Sequence, residues 1–246
     1  MPKYILFDTE TTGNQDQDRI IQIGAMIVHS KDEIEVYDEL CSTEVEIQIE
    51  AMEVHNITPD VIANQPSFME LVATEKINAY NSPENYLIAH NISFDLGMLE
   101  KEGFENAYTL IDTLRCAKHL LAESPYHRLQ YLRYSLGLYE TEGAEADALG
   151  VTIKAHDAIG DVLVMKLLLS KLVVLAKAHT PQEKNPMITL AKLTQIPVLM
   201  KTFRFGKYKG REIEEIAKAD KSYLSWMSKN MDLDEDMTFT LKHYLD

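Results

Sequence analysis

The chain has 246 residues, 46% of them hydrophobic, enough to bury the core of one full domain and leave a modest remainder. Its 39 Asp and Glu outnumber 24 Lys and Arg, and a net charge of −15 disfavours holding a polyanion by long-range attraction alone. No stretch is long and apolar enough to span a bilayer, and two cysteines, Cys41 and Cys116, form neither a disulfide framework nor a metal-type pair.

The first predicted element is Tyr4-Ile-Leu-Phe7, an apolar, β-prone run suited to a buried central strand. Side chains two apart on a strand share a face, so Asp8 and Glu10 project together at its C-terminal end. Thr11-Thr12-Gly13 then stops the strand, with Gly13 permitting a tight turn. Adjacent carboxylates repel each other unless a cation neutralises them, and such hard oxygen donors suit Mg²⁺ or Mn²⁺. Taken alone, Asp-x-Glu also describes a solvated strand end before a polar turn.

Residues 20–28 and 34–40 read as strands joined at 29–32, an antiparallel meander with the first. Helical stretches follow at 49–56 and 67–79. Tyr86-Leu-Ile-Ala89 is a second short buried strand, and Asn91 is placed to cap a helix over 92–101. Asp95 then lies one turn inside that helix, where its dipole favours any carboxylate, and Phe94 by itself reads as core. A strand over 108–111 and helices over 114–122 and 128–136 come next. The polar, Gly-containing stretch 140–155 reads as a loop carrying a short helix.

Residues 158–174 form a helix apolar on most sides, so Asp161 within it needs a partner, which a metal would provide. His156 cannot share a helical face with Asp161 and fits the loop before it, mobile enough to take a proton from water. A lone loop histidine is just as ordinarily exposed and idle.

Residues 179–200 are Pro-interrupted and polar, a linker with one short apolar helix near 187–194. In 201–246, nine Lys and Arg balance nine Asp and Glu, so the acidic excess lies entirely upstream. The segment Phe203-Arg-Phe-Gly-Lys-Tyr-Lys-Gly-Arg211 alternates aromatic and basic side chains. Lys207, Lys209 and Arg211 would grip a single strand by charge while the rings stack on bases. Alternatively, Phe203, Phe205 and Tyr208 face inward from a hairpin and the cations are merely solvated. Helices are expected at 212–219 and 223–231, with Tyr223, Leu224, Trp226 and Met227 forming a small core.

In order and spacing, Asp8-x-Glu10, Asn91-x-x-Phe94-Asp95 and His156-x-x-x-x-Asp161 resemble the DEDDh, or DnaQ-like, 3′→5′ exonucleases. Glu53-Val-His55-Asn56-Ile-Thr58 is similar to the family's Val-His-Gly-Ile-Thr stretch, and Asn tolerates the left-handed conformation of the glycine it replaces. Leu110-Ile-Asp112-Thr113 also matches, with Asp112 read as a helix N-cap. The class whose base is a tyrosine is excluded, because position 157 is Asp. The tail is similar to a small module found on some exonuclease-X-like proteins.

The resemblance implies an α/β, ribonuclease H-like fold: a five-stranded mixed sheet flanked by helices over residues 1–178, plus a small α+β module at 201–246. It implies two ions, Mg²⁺ or Mn²⁺, with Asp8, Glu10 and Asp161 holding the first, Asp8 bridging to the second and Asp95 supporting it. His156 would deprotonate the attacking water. Thr11, Gly13, His55, Asn91 and Phe94 would lie near the terminal nucleotide. The implied partner is nucleic acid, DNA 3′ ends or RNA, with a DNA polymerase or repair protein as a further partner. A subunit whose main task is polymerase contact is the reading from another class. Met1-Pro-Lys3 runs straight into the first strand, so no leader peptide is expected, and a cytoplasmic location without membrane contact follows.

Overall fold

The computed structural model describes residues 2–153 and 157–246. Among these residues are five strands: β1 (Tyr4–Thr11), β2 (Ile20–Ser30), β3 (Glu33–Leu40), β4 (Tyr86–Ala89) and β5 (Thr109–Asp112). They form one mixed sheet in the order β3-β2-β1-β4-β5, with β1 central. β1 pairs antiparallel with β2 and parallel with β4, and β5 extends the parallel half. The fold is the expected ribonuclease H-like arrangement.

Both faces of the sheet are covered, which is why its central strands read as continuous apolar runs rather than alternating ones. Helices α1 (Ile49–His55), α2 (Pro59–Ile62), α3 (Val72–Ala79) and α4 (Ile92–Lys101) precede β5 or flank β4 in the chain. Ile5, Phe7, Leu87 and Ala89 pack with Ala73 and Ile77 of α3 and with Ile92 and Leu99 of α4. After β5 come α5 (Thr113–Leu120), α6 (Leu129–Ser135), α7 (Tyr139–Leu149), α8 (Ala158–His179) and α9 (Pro186–Gln195). Leu6, Ile88 and Ile111 point the other way, into a cluster with Val162, Met165 and Leu168 of α8 and Leu190 of α9.

Several elements differ from the sequence expectation, each for a local reason. β1 is not among them: it carries Asp8 and Glu10 and ends at Thr11, with the long β2 pairing along it, Asp8 opposite Gly24 and Glu10 opposite Gln22. Residues 139–149 are an 11-residue helix, α7, rather than a loop with a short helix. Its Glu and Ala content favours helix without an apolar stripe to announce it. Asn91 stands at the N-cap of α4 with φ 82°, but its side chain makes no capping bond. The capping role is filled at α5 instead, where Asp112 accepts from the Leu114 and Arg115 N–H groups. α9 is docked, with Met187, Leu190, Ala191 and Leu193 in the core beside α8.

The C-terminal residues have a separate core of Met200, Phe203, Ile213, Ile216, Leu224, Met227, Met237 and Leu241. It is built by α10 (Ile213–Ala219), α11 (Lys221–Asn230) and α12 (Glu235–Leu245), the last an addition to the expected helices. The expected hairpin reduces to a single bridge, Thr202 to Glu212, closing a turn-rich loop. Phe203 is buried and Tyr208 packs against this core, whereas Phe205 and Trp226 face solvent. No helix among the described residues is long and apolar enough to cross a membrane.

Candidate active site

Asp8 and Glu10 leave β1 on the face that carries Leu6, the face on which α8 packs. α8 starts close to the sheet because β2 has a glycine opposite Asp8. A Cβ at Gly24 would stand 2.7 Å from Ile159 Cα and closer still to its nitrogen, so any larger residue forces α8 outward. Asp161, in the first turn of α8, rides on that contact. Sequence reasoning passes over Gly24, although an isolated glycine in an apolar strand signals just such a close approach.

Asp95 enters from α4 and is only 3% exposed. One of its oxygens accepts two bonds from Thr9, at 3.1 Å from the backbone N and 2.8 Å from Oγ1. An oxygen of Asp161 accepts from Gln130 Nε2 at 2.5 Å, so an amide on α6 supplies a partner where the sequence alone suggests a metal. Gln130 Oε1 accepts in turn from Arg133 at 3.1 Å, and Arg133 is ion-paired with Glu142. Nothing in the sequence separates Gln130 from any other polar residue on a short helix.

Burial and mutual repulsion disturb these carboxyls strongly. Asp8 is raised well above the usual carboxylate range by burial first, then by Asp95, Asp161 and Glu10. Burial, followed by Asp161, Asp95 and Asp157, lifts Glu10 to about 8. Asp95 is lifted by burial to about 7 despite the two Thr9 bonds that oppose it. The four groups therefore converge electrostatically. Among the described residues, no three His, Cys, Asp or Glu side chains form a finished coordination set. The donor set fits a divalent cation: hard oxygen ligands, held in place from behind, whose unfavourable crowding a positive charge relieves.

The surrounding residues fall into place unequally. Thr11 Oγ1 donates to the Gly13 carbonyl at 2.7 Å. Gly13 has no need of a left-handed turn; it is small because the Gln48 side chain and Asp18 Oδ2 press on it, the latter 2.6 Å from where a Cβ would be. Asp18 is buried and gathers Thr12 Oγ1, the Gln15 N–H and Gln48 Nε2, making it the hub of this loop. His55 closes α1, with Nδ1 accepting from the Ile57 N–H at 2.9 Å, and burial keeps its ring toward the neutral form against the opposing Thr11 backbone. Asn56 takes the left-handed conformation with φ 61°. The Asn91 N–H donates to Asp112 Oδ1 at 3.1 Å, tying the start of α4 to that of α5. Phe94 is half-buried against the core around Phe7.

His156 lies outside the described residues. The three C-terminal cations are not gathered at this site by any described contact. Lys207 pairs with Asp220 at 3.1 Å, Arg211 with Glu215 at 3.1 Å, and Lys209 is exposed.

With this geometry in hand, comparison with known proteins is decisive at the level of family. The Exonuclease family model matches residues 5–169. The chain belongs to that family. A second model, Exodeoxyribonuclease X-like C-terminal, matches residues 203–232. Exodeoxyribonuclease 10 of Escherichia coli (strain K12) is 28% identical over 242 residues, covering 98% of each chain. DNA polymerase III PolC-type of Clostridium perfringens is 26% identical over 205 residues, covering 72% of this chain and 14% of that one. Among solved structures, exonuclease X in complex with 5′ overhanging duplex DNA aligns over 78% of this chain and 99% of that one, with TM-score 0.55 and 22% identity. E. coli exonuclease I with a dA16 oligonucleotide aligns over 74% of this chain and 42% of that one, with TM-score 0.52 and 20% identity. These structural likenesses concern the fold. The protein is an exonuclease enzyme.

Proposed function

We propose that this exonuclease is a divalent-metal-dependent 3′→5′ exodeoxyribonuclease that releases 5′-mononucleotides from a single-stranded or frayed DNA end. The observation that carries this reading is the convergence of Asp8, Glu10, Asp95 and Asp161 from three elements, where burial and the neighbouring carboxylates raise Asp8 and Glu10 and burial raises Asp95. A fold does not keep such crowding for stability. Asp8, Glu10 and Asp161 would hold one Mg²⁺ or Mn²⁺, and Asp8 with Asp95 a second. Bound there, the pair supplies charge neutralisation at the scissile phosphate and a more acidic water.

The protein's own part is positioning, which dominates phosphoryl transfer. Thr9 and Gln130 fix the Asp95 and Asp161 carboxylates from behind. Thr11, Gly13, the neutral His55, Asn91 and Phe94 border the space for the terminal nucleotide, and His156 takes the proton from water. Residues 1–178 act as the catalytic domain, 179–200 as its connection and 201–246 as an attached module. DNA is favoured over RNA because the full-length match is to an exodeoxyribonuclease. Work in DNA repair or replication, in the cytoplasm, is consistent with the relatives, and a polymerase partner is a further expectation from the PolC-type match.

The test is digestion of a 5′-labelled single-stranded DNA by wild type, Asp8→Ala and His156→Ala, with Mg²⁺ or with EDTA. Only wild type with Mg²⁺ should give a ladder shortening from the 3′ end. Full activity in Asp8→Ala refutes the site, and preference for a matched RNA oligomer moves the substrate to RNA.

A further inference from the structure

A tyrosine pair flanks each end of the short helix α6, and each pair has a guanidinium against it. At one end Tyr126 is 55% exposed, with Arg128 Cζ 5.2 Å from its ring centroid and Tyr131 edge-on at 5.2 Å. At the other, Tyr134 is 60% exposed, with Arg133 Cζ at 5.2 Å and the exposed Tyr139 ring tilted against it at 5.7 Å. Gln130, between them on the same helix, donates to Asp161 and accepts from Arg133. Asp161, Gln130, Arg133, Tyr134 and Tyr139 are therefore an unbroken series of contacts from the active site to open surface.

Exposed rings in this number have no packing purpose, and clustered exposed apolar surface marks a binding face. The charge balance says what kind of binding it is. With −15 overall, the chain opposes a polyanion at long range, so a grip on a strand must rely on something other than net charge. Aromatic stacking is uncharged and indifferent to sequence, because every base has a π-face. Arg133 is already neutralised by Glu142, so what it contributes here is to hold the Tyr134 ring in place.

We infer that Tyr134 and Tyr139, with Tyr126 at the far end of α6, are a stacking platform for the bases of a single-stranded segment whose terminus lies among the site carboxylates. The inference rests on the nuclease reading above for the location of that terminus. The platform binds the strand a few nucleotides from the reacting bond, and a substrate too short to reach it gains nothing from it.

The experiment compares wild type, Tyr134→Ala/Tyr139→Ala and Tyr134→Phe/Tyr139→Phe in two measurements. The first is fluorescence anisotropy of a labelled, phosphorothioate-linked single-stranded 12-mer in Mg²⁺. The second is hydrolysis of a dinucleotide, which ends at the reacting bond. The alanine pair should raise the 12-mer Kd about tenfold or more, the loss of roughly one stacked base. The phenylalanine pair should match wild type, and dinucleotide hydrolysis should be the same in all three. An unchanged Kd in the alanine pair overturns the platform, as does equal weakening by phenylalanine, which would point to the hydroxyls. Loss of dinucleotide hydrolysis also overturns it, by making the rings supports of Asp161. A wild type that binds the 12-mer yet cuts neither substrate refutes the nuclease reading alone, and the Kd comparison still decides the platform.

Discussion

Charge is treated in opposite ways in the two cores of this protein. At the sheet, Asp8 and Glu10 are brought against Asp95 and Asp161, whose charges join burial in raising both their pKa values. Around the C-terminal core, positive and negative residues are equal in number and several stand beside their opposites: Lys207 with Asp220, Arg211 with Glu215, Lys218 with Glu214. Matched surface pairs contribute little to stability and need no further explanation. Crowded like charges cost stability, and a fold retains them where the chemistry requires them. The unbalanced region is therefore where function is to be sought, and the balanced one is where substitution should be mild.

The largest effect should come from breaking the imbalance itself. Asp8→Asn should lower exonuclease turnover by about a thousandfold or more, since a charge-stabilising group is lost from the site. The same change should raise the melting temperature of the metal-free protein, because it removes a buried carboxyl that its neighbours repel. Adding Mg²⁺ should stabilise wild type more than the variant. A variant that loses both activity and stability would mean that Asp8 is an ordinary structural group. Next in size is Gly24→Ala. The new methyl collides with Ile159 at the start of α8, so it should cost about 2–3 kcal/mol in urea unfolding. Because Asp161 moves with that helix, kcat should fall about a hundredfold, more than the stability loss alone explains.

Much of this arrangement is legible in the amino-acid sequence, and the parts that are not share a common cause. Tyr4-Ile-Leu-Phe7 and Tyr86-Leu-Ile-Ala89 announce strands because both faces of the sheet are buried, leaving no room for polar alternation. The site carboxylates announce themselves by spacing along those strands and the helices after them. Gln130, Asp18 and Glu142 do not, since each acts through a partner that no helix or strand spacing points to and is a commonplace residue where it stands. α7 is hidden because its buried side chains, Glu142 and Ala146, include no large apolar residue. In the tail, the alternation of rings and cations suggests a hairpin. Turns around Gly206 and Gly210, both at positive φ, instead fold Phe203 inward and turn Phe205 out.

A third prediction concerns pH and sharpens the distinction between forced and balanced charge. His90 adjoins the site at the end of β4, its nitrogens bonded to Thr113 Oγ1 and the His127 carbonyl, both at 2.9 Å. Burial lowers its pKa from 6.5 to about 4, so the folded protein holds the ring neutral while the unfolded chain binds a proton first. Its stability contribution is complete above 6.5 and is lost as the pH falls toward 4, by about 2 kcal/mol. Urea titrations at pH 7 and pH 4.5 should show the loss, and His90→Gln should flatten it. An equal slope in the variant would assign the acid sensitivity elsewhere.

The smallest effects separate two uses of ion pairing within the balanced region. Asp236 is buried, accepts the Val198 N–H at 2.9 Å and faces Arg115 and Lys118 of α5 at 3.3 and 3.2 Å. It joins α12 to the sheet-bearing part of the chain, and Asp236→Ala leaves Lys118 and the Val198 amide without their acceptor. Arg115 retains Glu235 and the Ile196 carbonyl, so the loss falls on Lys118 and the Val198 amide and should cost about 2 kcal/mol. Lys218 and Glu214 also form a pair, but in open solvent one helical turn apart, and either alanine variant should leave the urea midpoint nearly unchanged. A double-mutant cycle on Lys218 and Glu214 should give a coupling that disappears in high salt, whereas the Asp236→Ala loss should persist there. Equal salt sensitivity at the two places would mean that Asp236 is a surface charge like the others, and that burial, rather than pairing, holds α12 in position.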